Sequence, residues 1–156
     1  MALKLSHDAG EFAYSSFMRF RTKLARCYGI PLPLMENYYG GGKNNFGYPF
    51  SMIRLACEGP AREFGALDQL EELESHFPLK WSSFKPNPIH DFLNHSDYNG
   101  IISYESCGLI AAELRILIAT IESGIEAQDQ EFISDLTRLM KGCAIAHNRQ
   151  ENLEFR

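Results

Sequence analysis

The chain has 156 residues, 45% hydrophobic and 22% charged, with a formal net charge of −5. That length and balance belong to a globular domain able to bury a substantial core, and exclude a disordered chain. The longest strongly apolar stretch, Leu109 to Ile121, is broken by Glu113 and Arg115, which excludes it as a bilayer span.

The acidic balance argues against general nucleic-acid binding, which needs a basic field. The charge is nonetheless uneven. Lys4, Arg19, Arg21, Lys23 and Arg26 outnumber Asp8 and Glu11 within residues 1–30, and the rest of the chain is strongly acidic. Residues Met1 to Asp8 lack the apolar run of a signal peptide, so a cytoplasmic protein with no membrane partner is expected. The four cysteines, Cys27, Cys57, Cys107 and Cys143, contain no Cys-x-x-Cys pair and read as reduced thiols, with Cys107 and Cys143 on apolar helix faces.

Residues 12–28 read as a first helix. Phe17, Phe20, Leu24 and Cys27 line one face, Arg19, Lys23 and Arg26 share another, and Gly29 and Pro31 end it. Residues 30–66 are irregular, punctuated by Pro31, Pro33, Gly40-Gly41-Gly42, Gly47, Pro49, Gly59, Pro60 and Gly65; within them Phe50 to Glu58 is long enough for either a strand, near Ser51 to Leu55, or a short helix. Leu67, Leu70, Leu73 and Phe77 predict a short helix with an acidic outer face, stopped by Pro78. Pro78, Pro86 and Pro88 then favour an extended run, pinned by Trp81 and Phe84.

The C-terminal third is the most strongly patterned. Ser103 is a good N-cap, and Cys107, Ile110, Ala111, Leu114, Ile118 and Ile121 form one stripe. Leu109, Ile116 and Leu117 widen it until little polar surface remains, the pattern of a central helix. Gly124 ends that helix and Asp129 caps the next, which carries Phe132, Ile133, Leu136, Leu139, Met140, Cys143 and Ala144 on one face. Two such helices with a short link form an antiparallel hairpin. A last short strand is expected at Leu153-Glu154-Phe155. The fold class predicted is mainly α: a single helical domain over 1–156, its centre the hairpin, with an irregular flap at about 30–66.

The string from His95 to Ser106 has the outline of a calcium-binding EF-hand loop. Asp97, Asn99 and Gly100 fall at positions 3, 5 and 6, and Ser103 at 9. Position 1 is His95 where Asp is usual, and position 12 is Ser106 where a bidentate Glu is usual. A cation would rest on His95, Asp97 and Asn99. Without a cation, the same residues make side-chain turns that lead into the next helix. The string Asn94-His95-Ser96-Asp97…Gly100…Cys107-x-x-Ile110-Ala111-x-x-Leu114 resembles a motif in a family of small uncharacterised bacterial proteins. Tyr14-Ser15-Ser16-Phe17-Met18-Arg19-Phe20-Arg21…Leu24-Ala25 and Leu153-Glu154-Phe155 fit the same pattern. The family more often carries an acidic residue where Asn99 and Ser106 stand. The resemblance implies a shared fold and no particular activity.

A second constellation is aromatic and basic. Tyr38, Tyr39, Phe46, Tyr48 and Phe50 flank a Gly-Gly-Gly-Lys-Asn-Asn stretch containing Lys43, with Arg54 beyond. With Arg19, Lys23 and Arg26 these residues could receive a small phosphorylated ligand, by stacking and charge neutralisation. The stretch is not a Walker loop, because Asn44 follows Gly42-Lys43 where Ser or Thr is required. Tyrosines among Gly and Asn equally suit recognition of a protein. His90-Asp91 is a fragment of the metal pair of helical phosphohydrolases, without the further ligands at their spacing. No Gly-x-Ser-x-Gly elbow is present.

With no complete catalytic set, the sequence favours a non-catalytic binding protein that blocks or sequesters a protein partner, of immunity or phage counter-defence type, with no cofactor. A nucleotide-signal protein using the basic helix and the Gly/Tyr-rich loop is the alternative. Calcium binding through the degenerate loop is a third.

Overall fold

The computed structural model describes residues 2–32, 35–36, 79–95, 100–124 and 129–156. The chain packs as two compact units, one of residues 1–20 with 87–156 and the other of residues 21–86.

In the first unit, strands β1 (Ala2–Leu5) and β2 (Gly10–Ala13) form an antiparallel hairpin around a 3-10 turn at Ser6–Asp8. Both strands alternate buried and exposed residues, with Leu3, Leu5 and Phe12 turned inward. Helix α1 (Tyr14–Cys27) follows directly and continues into the second unit. Later come α2 (Ile89–Leu93), β3 (Gly100–Ile102), α3 (Tyr104–Ser123), α4 (Gln130–Arg149) and β4 (Leu153–Phe155). The strands make one antiparallel sheet in the order β2-β1-β4-β3, which ties the two ends of the chain together. Lys4 and Arg156 exchange backbone hydrogen bonds of 2.8 and 2.9 Å at that junction.

This sheet corrects the mainly helical expectation in part. Helices dominate and the C-terminal hairpin of α3 and α4 is present, but β1, β2 and β3 stand beside it. Phe12 and Ala13, read as the start of the first helix, belong to β2. The anticipated strand at Leu153–Phe155 is β4. The segments read as a strand near Ser51 to Leu55 or a short helix, and as a helix over Leu67 to Phe77, lie outside the described residues.

The core of the first unit is aromatic. Phe17 meets Phe92 and Phe155 edge-on at 6.0 and 6.2 Å between centroids, and Phe20 contacts Phe12, Phe92 and Phe132. Edge-to-face and tilted pairs at these separations add specific geometry to the burial of large apolar rings. On α4, Gly142 sits directly against Ala9: an added Cβ there would lie 2.5 Å from Ala9 Cα and 2.9 Å from its nitrogen. Arg138 of α4 pairs with the Asp8 carboxylate and donates from Nε to the Asp8 carbonyl at 3.1 Å. Both contacts clamp the Ser6–Asp8 turn onto α4. That turn holds His7 and Asp8 at φ of 56° and 55°, left-handed values uncommon for residues with a Cβ.

In the second unit, Leu24 and Ala25 on α1 are buried, as are Ile30, Leu32 and Met35 beyond it. Gly29, at φ 68°, ends α1 as the sequence predicts, and the Ile30 N–H donates back to the Ala25 carbonyl at 3.0 Å. Met35 bridges Leu79, and the Glu36 carboxylate accepts from the Trp81 N–H at 2.9 Å.

Candidate interaction surface

Helix α3 starts at a densely bonded cap. Ser103 Oγ accepts from the Ser106 N–H at 3.2 Å, as anticipated for an N-cap, and Asn152 Oδ1 reaches across to accept from the Tyr104 N–H at 3.2 Å. The Glu105 carboxylate is held below its usual range first by its own backbone N–H, then by the Tyr104 hydroxyl and Ser103. His147, in the last turn of α4, lies flat enough on α3 that a Cβ at Gly108 would sit 2.6 Å from its ring. Its Nδ1–H donates to the Tyr104 carbonyl at 3.0 Å. These bonds close the positive end of the helix with protein groups and lock the hairpin register.

From that fixed start, α3 presents two apolar sides. Cys107, Ile110, Ala111, Leu114 and Ile118 are buried, forming the inward stripe that the spacing predicts. On the opposite side Leu109, Ala112, Ile116 and Ala119 follow one another at intervals of 3, 4 and 3 residues, and all are exposed. Leu109 is 59% and Ile116 65% accessible. The reading of α3 as a central helix is therefore corrected: among the described residues none covers its second apolar face. Ile101, on edge strand β3 just before the cap, is also exposed. Sequence reasoning missed this surface because Leu109 and Ile116 look like core. Their placement on the helix side opposite Leu114 was the available signal.

Of the residues singled out from sequence, Arg19, Lys23 and Arg26 lie on α1, with Arg19 and Arg26 exposed and Lys23 half-buried. Tyr38, Tyr39, Lys43, Tyr48 and Arg54 lie outside the described residues, so the pocket they were expected to form with α1 is not placed. Asp97 and Asn99 of the EF-hand-like loop are likewise outside them.

The loop's described positions are engaged within the protein. His95 stacks on Phe155 with ring centroids 3.9 Å apart, and its Nε2–H donates to the Ile101 carbonyl at 3.3 Å. That carbonyl occupies position 7 of the loop, where calcium-binding loops offer a backbone oxygen to the ion. Ser106, at position 12, donates its hydroxyl to Asp91 at 2.9 Å. Gly100 takes φ 122° and leaves no room for a Cβ, which would lie 2.8 Å from the His95 ring. Among the described residues no group of three or more His, Cys, Asp or Glu side chains is arranged to hold a metal ion. No helix among them is long and apolar enough to cross a membrane.

No family model, curated protein or solved structure matches this chain.

Proposed function

We propose that the chain is a non-catalytic binding protein that blocks or sequesters a protein partner through the outward face of α3. The observation that supports this is the exposed stripe of Leu109, Ala112, Ile116 and Ala119 on a helix whose other side is fully packed. Scattered exposed apolar residues are ordinary, but large ones repeating along one helix side mark a docking ridge. The intervals of 3 and 4 suit a partner that lays a helix or a groove along α3. Burying a Leu or Ile side chain that is otherwise in water contributes roughly 1.5–3 kcal/mol each, enough for two such residues to act as anchors.

The test is affinity capture from native lysate with the full chain as bait, beside a Leu109→Glu/Ile116→Glu double variant. The reading expects a stoichiometric protein that the wild type retains and the variant loses, at both low and moderate salt. Recovery of no partner under several salt conditions, or equal recovery by both baits, contradicts it.

A further inference from the structure

The apolar stripe of α3 has charged flanks, and the two differ. Arg115 shares its side of the helix with Tyr104 and Gly108, the residues that His147 of α4 approaches, so it lies on the flank that turns toward α4. Glu113 lies on the opposite flank. Lys141 stands six residues before His147, which at about 1.5 Å of rise per residue brings it level with the α3 turn from Ile110 to Leu114. It is exposed, on the side of α4 opposite buried Leu139, Cys143 and Ala146. The outward sides of the two antiparallel helices therefore adjoin, with Arg115 and Lys141 along the α4 border of the stripe. Both cations are exposed. Among the described residues neither is ion-paired, whereas Lys4, Arg138 and Arg156 hold Glu11, Asp8 and Glu154.

The stripe is complementary to its own copy in shape but not in charge. Read in reverse, Leu109, Ala112, Ile116 and Ala119 set small against large, so a second α3 running antiparallel would lay Leu109 on Ala119 and Ala112 on Ile116. The midpoint of that register falls at Leu114. Arg115 would then face Arg115 of the second copy, Glu113 would face Glu113, and the two Lys141 side chains would stand beside the arginines. Like charges opposed across a helix pair disfavour it and set the choice of partner. A helix with acidic side chains along the same edge meets the opposite situation, because each carboxylate gains an exposed cation.

Resting on the reading of α3 as the docking face, we propose that its occupant is an amphipathic helix of a different protein, seated with a row of acidic side chains over Arg115 and Lys141. That helix lays its large apolar side chains over Ala112 and Ala119, where the ridge is low, and takes Leu109 and Ile116 between them. The apolar contact supplies the hold, and the charged edge selects the partner and excludes the second copy.

The probes are two synthetic helical peptides about three heptads long, with identical Leu and Ala at the apolar positions and either Glu or Lys along one edge. Fluorescence anisotropy reads their binding to the full chain at low and moderate salt, and analytical ultracentrifugation reads the state of the chain alone. The Glu-edged peptide should bind about ten-fold tighter than the Lys-edged one, since two exposed charge contacts change from repulsive to attractive. Added salt should narrow the gap. In an Arg115→Glu/Lys141→Glu variant, both positions being exposed, the order should reverse, and a Leu109→Glu/Ile116→Glu variant should bind neither peptide. The chain alone should sediment as a monomer. Equal binding of the two peptides, a preference that survives the charge reversal, or binding of neither overturns the proposal. So does a wild-type dimer that the Leu109→Glu/Ile116→Glu variant loses, which would make the occupant a second copy. The two peptides on the wild type decide the matter even if a variant does not fold. Capture from native lysate decides separately whether the α3 face holds a protein at all.

Discussion

His95 lies on the ring of Phe155 at 3.9 Å and an interplanar angle of 14°, while its Nε2–H holds the Ile101 carbonyl. The imidazole thereby joins the start of the loop to strands β3 and β4, and it fills the space beside Gly100. A Gly100→Ala variant must carry a Cβ at φ 122° and push against that ring. The strain of such a backbone position and the displaced stacking should cost about 1–3 kcal/mol. Urea unfolding measures it; a loss below about 0.5 kcal/mol, the ordinary surface range, contradicts the role given to His95.

Gly142 makes the second close approach. Alanine would normally favour an α-helix over glycine by about 1 kcal/mol. Here its methyl would meet the backbone of Ala9, which cannot move away as a flexible side chain would. Gly142→Ala should therefore destabilise by about 1–3 kcal/mol despite the better helix propensity. A more stable variant in the same unfolding assay would show that the Ser6–Asp8 turn is not clamped on α4.

Asp135 gives a pH-dependent prediction. Burial first, and then Glu131, raise its carboxyl above the ordinary 3.8, against the lowering effect of Arg138. The folded protein therefore holds this proton more tightly than the unfolded chain does. Its penalty is absent at low pH and develops as pH rises through the raised value. Asp135→Asn should stabilise the fold at neutral pH, with the gain shrinking as the pH falls through that raised value and gone once the medium is more acidic than about 3.8. Thermal melts across that range check the sign; a gain confined to acid would reverse it.

Much of this fold was legible in sequence where the determinants are local. Ser103 and Asp129 cap their helices with bonds to Ser106 and Phe132, and Gly124 ends α3, because capping depends on residues within one turn. The sheet was hidden for the opposite reason. Ala2–Leu5 and Gly100–Ile102 are too short to show a decisive period, and β1 finds β4 from the other end of the chain, as in the pairing of Leu5 with Phe155. The surface was hidden differently again. Ile116 and Leu114 are equally apolar in sequence, and only the packing of α4 against one side of α3 separates them.

That separation predicts unequal folding costs. Leu114→Ala empties a fully buried position and should cost about 2–5 kcal/mol. Ile116→Ser changes a residue already 65% accessible and should stay within about 0.5 kcal/mol. Denaturant titration of both variants compares them directly, and a large loss at Ile116 would mean that its face is covered within the chain.

The most direct test of the binding surface is a photo-crosslinking amino acid placed at Ile116 of the full chain, irradiated in native lysate, with the same probe at exposed Ser134 of α4 as the comparison. The account expects one discrete protein adduct from position 116 and none from position 134. No adduct at 116, or the same adducts from both positions, would contradict it.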